Sequence, residues 1–170
     1  MRIFNLKTAA RTLIFLKEHG IDSYDELREK SDTASTEFHQ LSSRLKEIGD
    51  RQKAIIELQY HIGHYSKEQK IYEQYKASGF DQALYEPNRA PLTLRKAGKN
   101  YFDSIGMKKL PSINALKQEW APLETEGRKL SPGYKTTKEK YLSLCTAKAN
   151  ADVMLSGSRQ TQKSHDRGAR

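Results

Sequence analysis

The chain has 170 residues, 30% of them charged and 36% hydrophobic, with one cysteine and a formal charge of +9. That length suits a single domain, and a mean hydropathy of −0.85 excludes a thick globular interior. The longest apolar run, Leu13-Ile14-Phe15-Leu16, is too short for a membrane span or a secretory segment, and the lone Cys145 excludes a disulfide framework and a cysteine-based zinc site.

In chain order, Asn5 can cap a first helix in which Leu6, Ala9, Ala10, Leu13 and Leu16 recur at helical spacing, and Gly20 offers a left-handed stop. Ser23-Tyr24-Asp25-Glu26 then reads as a capping box, with the serine hydroxyl and the glutamate carboxylate placed to satisfy free first-turn amides. From Leu27, alternating steps of four and three reach Ser31, Ala34, Phe38, Leu41, Leu45, Ile48, Gln52, Ile55, Gln59 and Ile62. Such a heptad seam predicts one long helix from about Tyr24 to His64, roughly 60 Å at 1.5 Å per residue. Ser66 with Gln69 can restart or continue the helix as far as Ser78, with Ile71, Tyr72 and Tyr75 facing inward, until Gly79 stops it.

Between Phe80 and Pro111, Pro87, Pro91, Gly98 and Gly106 punctuate shorter segments, of which Asp81–Tyr85 and Thr93–Ile105 are expected to be helical. Ser112 caps a second seam through Ile113, Leu116, Trp120, Leu123, Gly127, Leu130, Tyr134, Thr137, Tyr141, Leu144, Lys148, Ala151 and Leu155. Pro122 should kink this arm and Ser131-Pro132-Gly133 should break it, leaving helices of about Ile113–Lys129 and Lys135–Leu155. The expected architecture is all-α: an N-terminal helix and an elongated, coiled-coil-like antiparallel hairpin. Its single domain covers 1–155, with arms at about 23–78 and 112–155 and short tip helices in 79–111. Residues 156–170, Gly/Ser/Gln/Arg-rich and without an apolar period, are expected to form a disordered basic tail.

Charge is distributed unevenly. Residues 1–90 carry 14 Lys/Arg against 14 Asp/Glu, whereas residues 91–170 carry 16 against 7. A surplus confined to one half points to a polyanionic partner, most often nucleic acid. The candidate nucleic-acid-binding residues are Arg89, Arg95, Lys96, Lys99, Lys108 and Lys109 at the tip, and Lys135, Lys138 and Lys140 after the expected break. Arg159, Lys163, Arg167 and Arg170 punctuate the tail. Clustered cations beside Tyr101 and Phe102 suit phosphate contact and base stacking, although either aromatic could instead fill a small tip core. Glu57, His61 and His64 share a helical face, but a metal site in a bundle needs matching ligands from a second helix, and the second arm has no such set. Cys145 has no histidine nearby in sequence and reads as a small buried hydrophobe, and no phosphate-cradling glycine loop is present. No catalytic residue, metal or cofactor is expected.

Many short pieces resemble, in the same order, the C-terminal helical region of bacterial conjugative relaxases, the mobilisation nucleases of integrative and conjugative elements. The first are Phe4-Asn5-Leu6-Lys7-Thr8-Ala9-Ala10-Arg11-Thr12-Leu13, Glu18-His19-Gly20-Ile21 and Tyr24-Asp25-Glu26-Leu27. His61-Ile62, Tyr65-Ser66-Lys67, Tyr72 with Tyr75-Lys76, Gly79-Phe80 and Lys96-Ala97 follow. Phe102-Asp103, Lys108-Lys109-Leu110-Pro111 and Lys148-Ala149-Asn150-Ala151-Asp152 complete the series, which covers about Arg2 to Leu155. The resemblance implies a non-catalytic region that follows a nicking endonuclease domain; that domain's tyrosine and histidine cluster have no counterpart here. The chain departs from the family pattern at Pro122, Gly127 and Pro132-Gly133.

Three functions compete on these grounds. The first is a cytoplasmic relaxase accessory region that binds single-stranded or duplex DNA or docks partners of the transfer machinery, with no membrane role. The second is a stand-alone relaxase-derived protein of a mobile element that inhibits a host defence nuclease, in the manner of an anti-CRISPR. The third is a structural coiled-coil adaptor.

Overall fold

The structure is a computed structural model that describes residues 6–167, with side chains as far as Ser156. It is all-α among the described residues: α1 (Leu6–Glu18), α2 (Tyr24–Lys67), α3 (Gln69–Ala77), α4 (Gln82–Tyr85), a 3-10 turn (Glu86–Asn88), α5 (Arg89–Ser104) and α6 (Ile113–Arg167). No helix is long and apolar enough to cross a membrane among the described residues.

Local chemistry accounts for the helix ends. Gly20 (φ 58°) ends the turn after α1, where the Ile21 amide donates to the Leu16 carbonyl at 2.9 Å. The capping box forms: the Glu26 amide donates to Ser23 Oγ at 3.1 Å, and the Glu26 carboxylate accepts from the Asp22 amide at 3.0 Å. The Ala115 amide donates to Ser112 Oγ at 3.1 Å, so α6 starts at the expected cap. Asp81 caps α4 through the Ala83 amide at 3.0 Å. Gly79 (φ 71°) and Phe80 (φ 68°) both turn left-handed between α3 and α4, a conformation that costs a bulky residue far more than glycine. The expected Asn5 cap lies outside the described residues.

Every seam position of α2 from Leu27 to Ile62 is buried or half-buried, as is every one in α6 from Ile113 to Ala151; Leu155 is exposed. The chain forms two compact units, residues 1–45 with 129–170 and residues 46–128. In the first unit, Ile21, Leu27 and Ala34 pack with Leu144 and Ala147, and Phe15, Leu16 and Ala151 close over them. Contacts there pair Tyr24 with Asp152, Ser31 with Cys145 and Phe38 with Tyr134 and Tyr141. Partner numbers fall as α2 advances, so the two segments run antiparallel within this unit. In the second unit, Ile55, Leu58 and Ile62 of α2 meet Phe102 of α5 and Leu116 of α6, with Trp120 and Leu123 alongside. A fully buried Leu or Ile side chain contributes about 1.5–3 kcal/mol, so a few such contacts stabilise each unit.

Three expectations from sequence are corrected. First, α6 has no break at Ser131-Pro132-Gly133; one helix runs from Ile113 to Arg167. Pro122, Pro132 and Gly133 all lie on exposed positions, where a carbonyl deprived of its donor can bond water, and apolar positions on either side are held against partners. Second, residues 156–167, read as part of a disordered tail, continue that helix, because α6 is already nucleated and each added residue gains a backbone hydrogen bond. Residues 168–170 lie outside the described residues. Third, α1 turns a different face inward. Leu6 and Leu13 are 85% and 56% exposed, while Thr12, Phe15 and Leu16 pack. The Thr12 hydroxyl donates to the Thr8 carbonyl at 2.9 Å and accepts from Asn150 Nδ2 at 3.0 Å, a polar latch that apolar counting overlooks.

Candidate nucleic-acid interface

The second unit gathers Arg95, Lys96 and Lys99 around one cavity of about 420 Å³, lined also by Tyr65, Tyr72, Tyr75 and Tyr85. Its geometry begins with helix periodicity. The Glu68 amide donates to the His64 carbonyl and the Tyr72 amide to the Glu68 carbonyl, so α-type hydrogen bonds bridge from α2 into α3. Tyr65, Tyr72 and Tyr75, spaced by seven and three, therefore fall on one face. Across from them, α5 places Leu92, Arg95, Lys96 and Lys99 at helical spacing. Gly98 permits this approach: a Cβ there would sit 3.3 Å from the His61 carbonyl oxygen and 3.6 Å from Tyr65 Cβ.

Arg95 is buried, at 7% exposure, which sequence reading as a phosphate-contacting surface residue did not anticipate. Its guanidinium donates to the Tyr65 carbonyl at 2.7 Å and lies 3.9 Å from the Tyr65 ring centroid and 4.4 Å from that of Tyr72. A planar, delocalised cation suits this aromatic site, since each such contact is worth about 0.5–2 kcal/mol. Lys96 and Lys99 are exposed at the cavity. Lys99 donates to Asp103 at 2.7 Å, and that carboxylate raises the lysine above its ordinary range. Both partners are well exposed, so water screens the pair strongly and a phosphate can displace the carboxylate at small cost. No carboxylate lines the cavity among the described residues.

The remaining candidates are dispersed. Arg89 opens α5 beside Glu86 and Thr93, and Lys108 and Lys109 are exposed in the turn between α5 and α6. In the other unit, Lys140 donates to Glu37 at 2.9 Å, Lys135 lies 4.0 Å from Glu139, and Lys138 stands 6.0 Å from the Tyr134 ring centroid. The side chains of Arg159, Lys163, Arg167 and Arg170 lie outside those described.

Phe102 is buried and fills the core of its unit, and Tyr101 packs against that core, stacks on His61 at 4.3 Å and donates to Glu57 at 3.4 Å. Burial, followed by the nearby Glu57 charge, raises the Tyr101 phenol above its usual range. His61 and Glu57 are thus engaged by one ring. His64 lies edge-on to Tyr60, with its Nδ1 buried and without a hydrogen-bond partner in the structure. No group of three or more His, Cys, Asp or Glu suited to a metal is found among the described residues. Cys145 is half-buried, with its sulfur 3.6 Å from Ser31 Oγ.

The four cavity tyrosines are functional candidates that charge counting missed. The signal available in the sequence was the shared helical face of residues 65, 72 and 75; the arrival of Tyr85 and of α5 depends on tertiary packing. No family model matches the chain, and neither a curated protein nor a solved structure matches it.

Proposed function

We propose that this chain is a non-catalytic accessory region of a conjugative relaxase that holds DNA during mobilisation of a plasmid or element. The observation that carries the reading is the cavity of the second unit, where two exposed lysines border four tyrosines and no carboxylate joins the lining among the described residues. Cations beside aromatic rings provide phosphate contact and base stacking on one surface. Lys108 and Lys109 add exposed charge to the same unit. The ordered resemblance to relaxase C-terminal regions supplies the biological setting, with docking of transfer partners as an accompanying role.

Fluorescence anisotropy of labelled single-stranded and duplex DNA at two salt concentrations tests this proposal. Affinity should fall steeply with salt. Charge reversal of Lys96, Lys99, Lys108 and Lys109 should reduce the logarithmic salt slope for single strands by roughly 3, at about 0.7 per phosphate contact. Absence of binding at low salt would refute the reading and favour a protein partner, either of the transfer machinery or, for a stand-alone relative, a host defence nuclease.

A further inference from the structure

We propose that the tyrosine-lined cavity of the second unit takes one unstacked nucleobase of single-stranded DNA, with Lys96 and Lys99 holding the phosphates beside it. This inference rests on the DNA-binding reading above and adds the ligand class and its seat. The cavity's 420 Å³ lies within the range of sites that enclose small ligands. Its tyrosines form two distinct pairs. Tyr65 and Tyr72 flank the Arg95 guanidinium and are thereby held as a rigid wall. Tyr75 and Tyr85 are half-buried, with ring centroids 5.8 Å apart and planes tilted by 41°, and they supply the aromatic surface for a base. Phe80 braces Tyr75 edge-on at 5.2 Å.

The charge arrangement favours a nucleotide over a neutral aromatic ligand. Arg95 is buried and already engaged by a carbonyl and two rings, so it supplies fixed positive potential rather than a mobile contact. Lys96 and Lys99 are exposed and reach the cavity from one side of α5, and Asp103, which pairs with Lys99, is itself exposed. A base stacked on Tyr75 or Tyr85 leaves its backbone at the rim, within the reach of long lysine side chains. A base in a duplex is stacked on both faces and unavailable, so single strands are the preferred ligand.

The test titrates the full chain with a single-stranded oligonucleotide carrying one 2-aminopurine, and separately with the 2-aminopurine deoxynucleoside 5′-monophosphate. Stacking should quench the fluorescence of both probes. Tyr75→Ala and Tyr85→Ala should abolish quenching and weaken oligonucleotide binding by about 5- to 100-fold, while Tyr75→Phe and Tyr85→Phe should retain both. The phenylalanine variants and the circular dichroism spectra separate loss of a stacking ring from loss of fold. Salt-sensitive oligonucleotide binding without quenching, or binding unchanged in folded alanine variants, would overturn the cavity and leave the DNA-binding reading standing. Quenching of the mononucleotide without oligonucleotide binding would overturn that reading and the single-strand ligand together, leaving a mononucleotide site in the cavity. Silence from both probes would overturn both.

Discussion

Replacing Pro132 and Gly133 in the middle of α6 should stabilise the protein. Both residues are exposed interior positions of a helix that runs unbroken from Ile113 to Arg167, and a Cβ on Gly133 would meet nothing within 4 Å. Gly133→Ala therefore gains about 0.5–1 kcal/mol from backbone entropy alone. Pro132→Ala restores an amide able to donate to the Arg128 carbonyl and relieves the ring clash, a term of about 3 kcal/mol. About 0.4–1 kcal/mol of this is offset because alanine frees the unfolded chain. The double variant should gain roughly 3 kcal/mol, or about 6–12 °C in Tm for a chain of this length, in thermal unfolding followed at 222 nm. If residues 131–133 were the break that their composition suggests, Ala-Ala would gain nothing there. An unchanged or lowered Tm with undiminished helical signal would refute the continuous helix.

Other outcomes follow from particular contacts. Ile55→Ala, at a position with 0% exposure, should cost about 2–5 kcal/mol in urea unfolding without changing the spectrum of the folded state. Gly98→Leu should cost about 1–3 kcal/mol and weaken oligonucleotide binding, because its side chain would be driven against the His61 carbonyl and push α5 away from the tyrosines. Glu119 is held below its ordinary range by the bidentate Arg51 guanidinium, so its contribution is present above the unfolded carboxylate range and is lost as pH falls through the folded value. Glu119→Gln should accordingly flatten the acid limb of a stability–pH profile below about pH 4.5. The Tyr24 phenol is raised by its hydrogen bond to Asp152, so its contribution is complete below the unfolded phenol range and disappears as pH climbs through the folded value. Tyr24→Phe should reduce the alkaline loss of stability above about pH 10 and leave the profile near neutrality level.

The candidate site was legible in proportion to how local its chemistry is. Lys96 and Lys99 stand out as exposed cations in a charge-rich segment, and that is where they lie. Arg95, one residue earlier, carries the same formal charge but is interior, because α5 turns residues 92, 95, 98 and 102 inward and Tyr65 and Tyr72 await it there. Residue type could not separate these neighbours, whereas the helical phase of α5 does.

By itself the amino-acid order determined the all-α class, the caps at Ser23 and Ser112, the left-handed stops at Gly20 and Gly79, and the two buried stripes. Each depends on interactions within a few residues or on a 3.5-residue period that any partner must respect. Tertiary structure alone decided whether Pro132-Gly133 ends a helix, which face of α1 is covered, and which cations are left in water. The costs of an exposed proline or a buried guanidinium are a few kcal/mol, similar to what a handful of packed side chains or two aromatic rings return. Their balance is set by partners far away in sequence: Asn150 for Thr12, Tyr65 for Arg95, and the stripes of α2 for the continuity of α6.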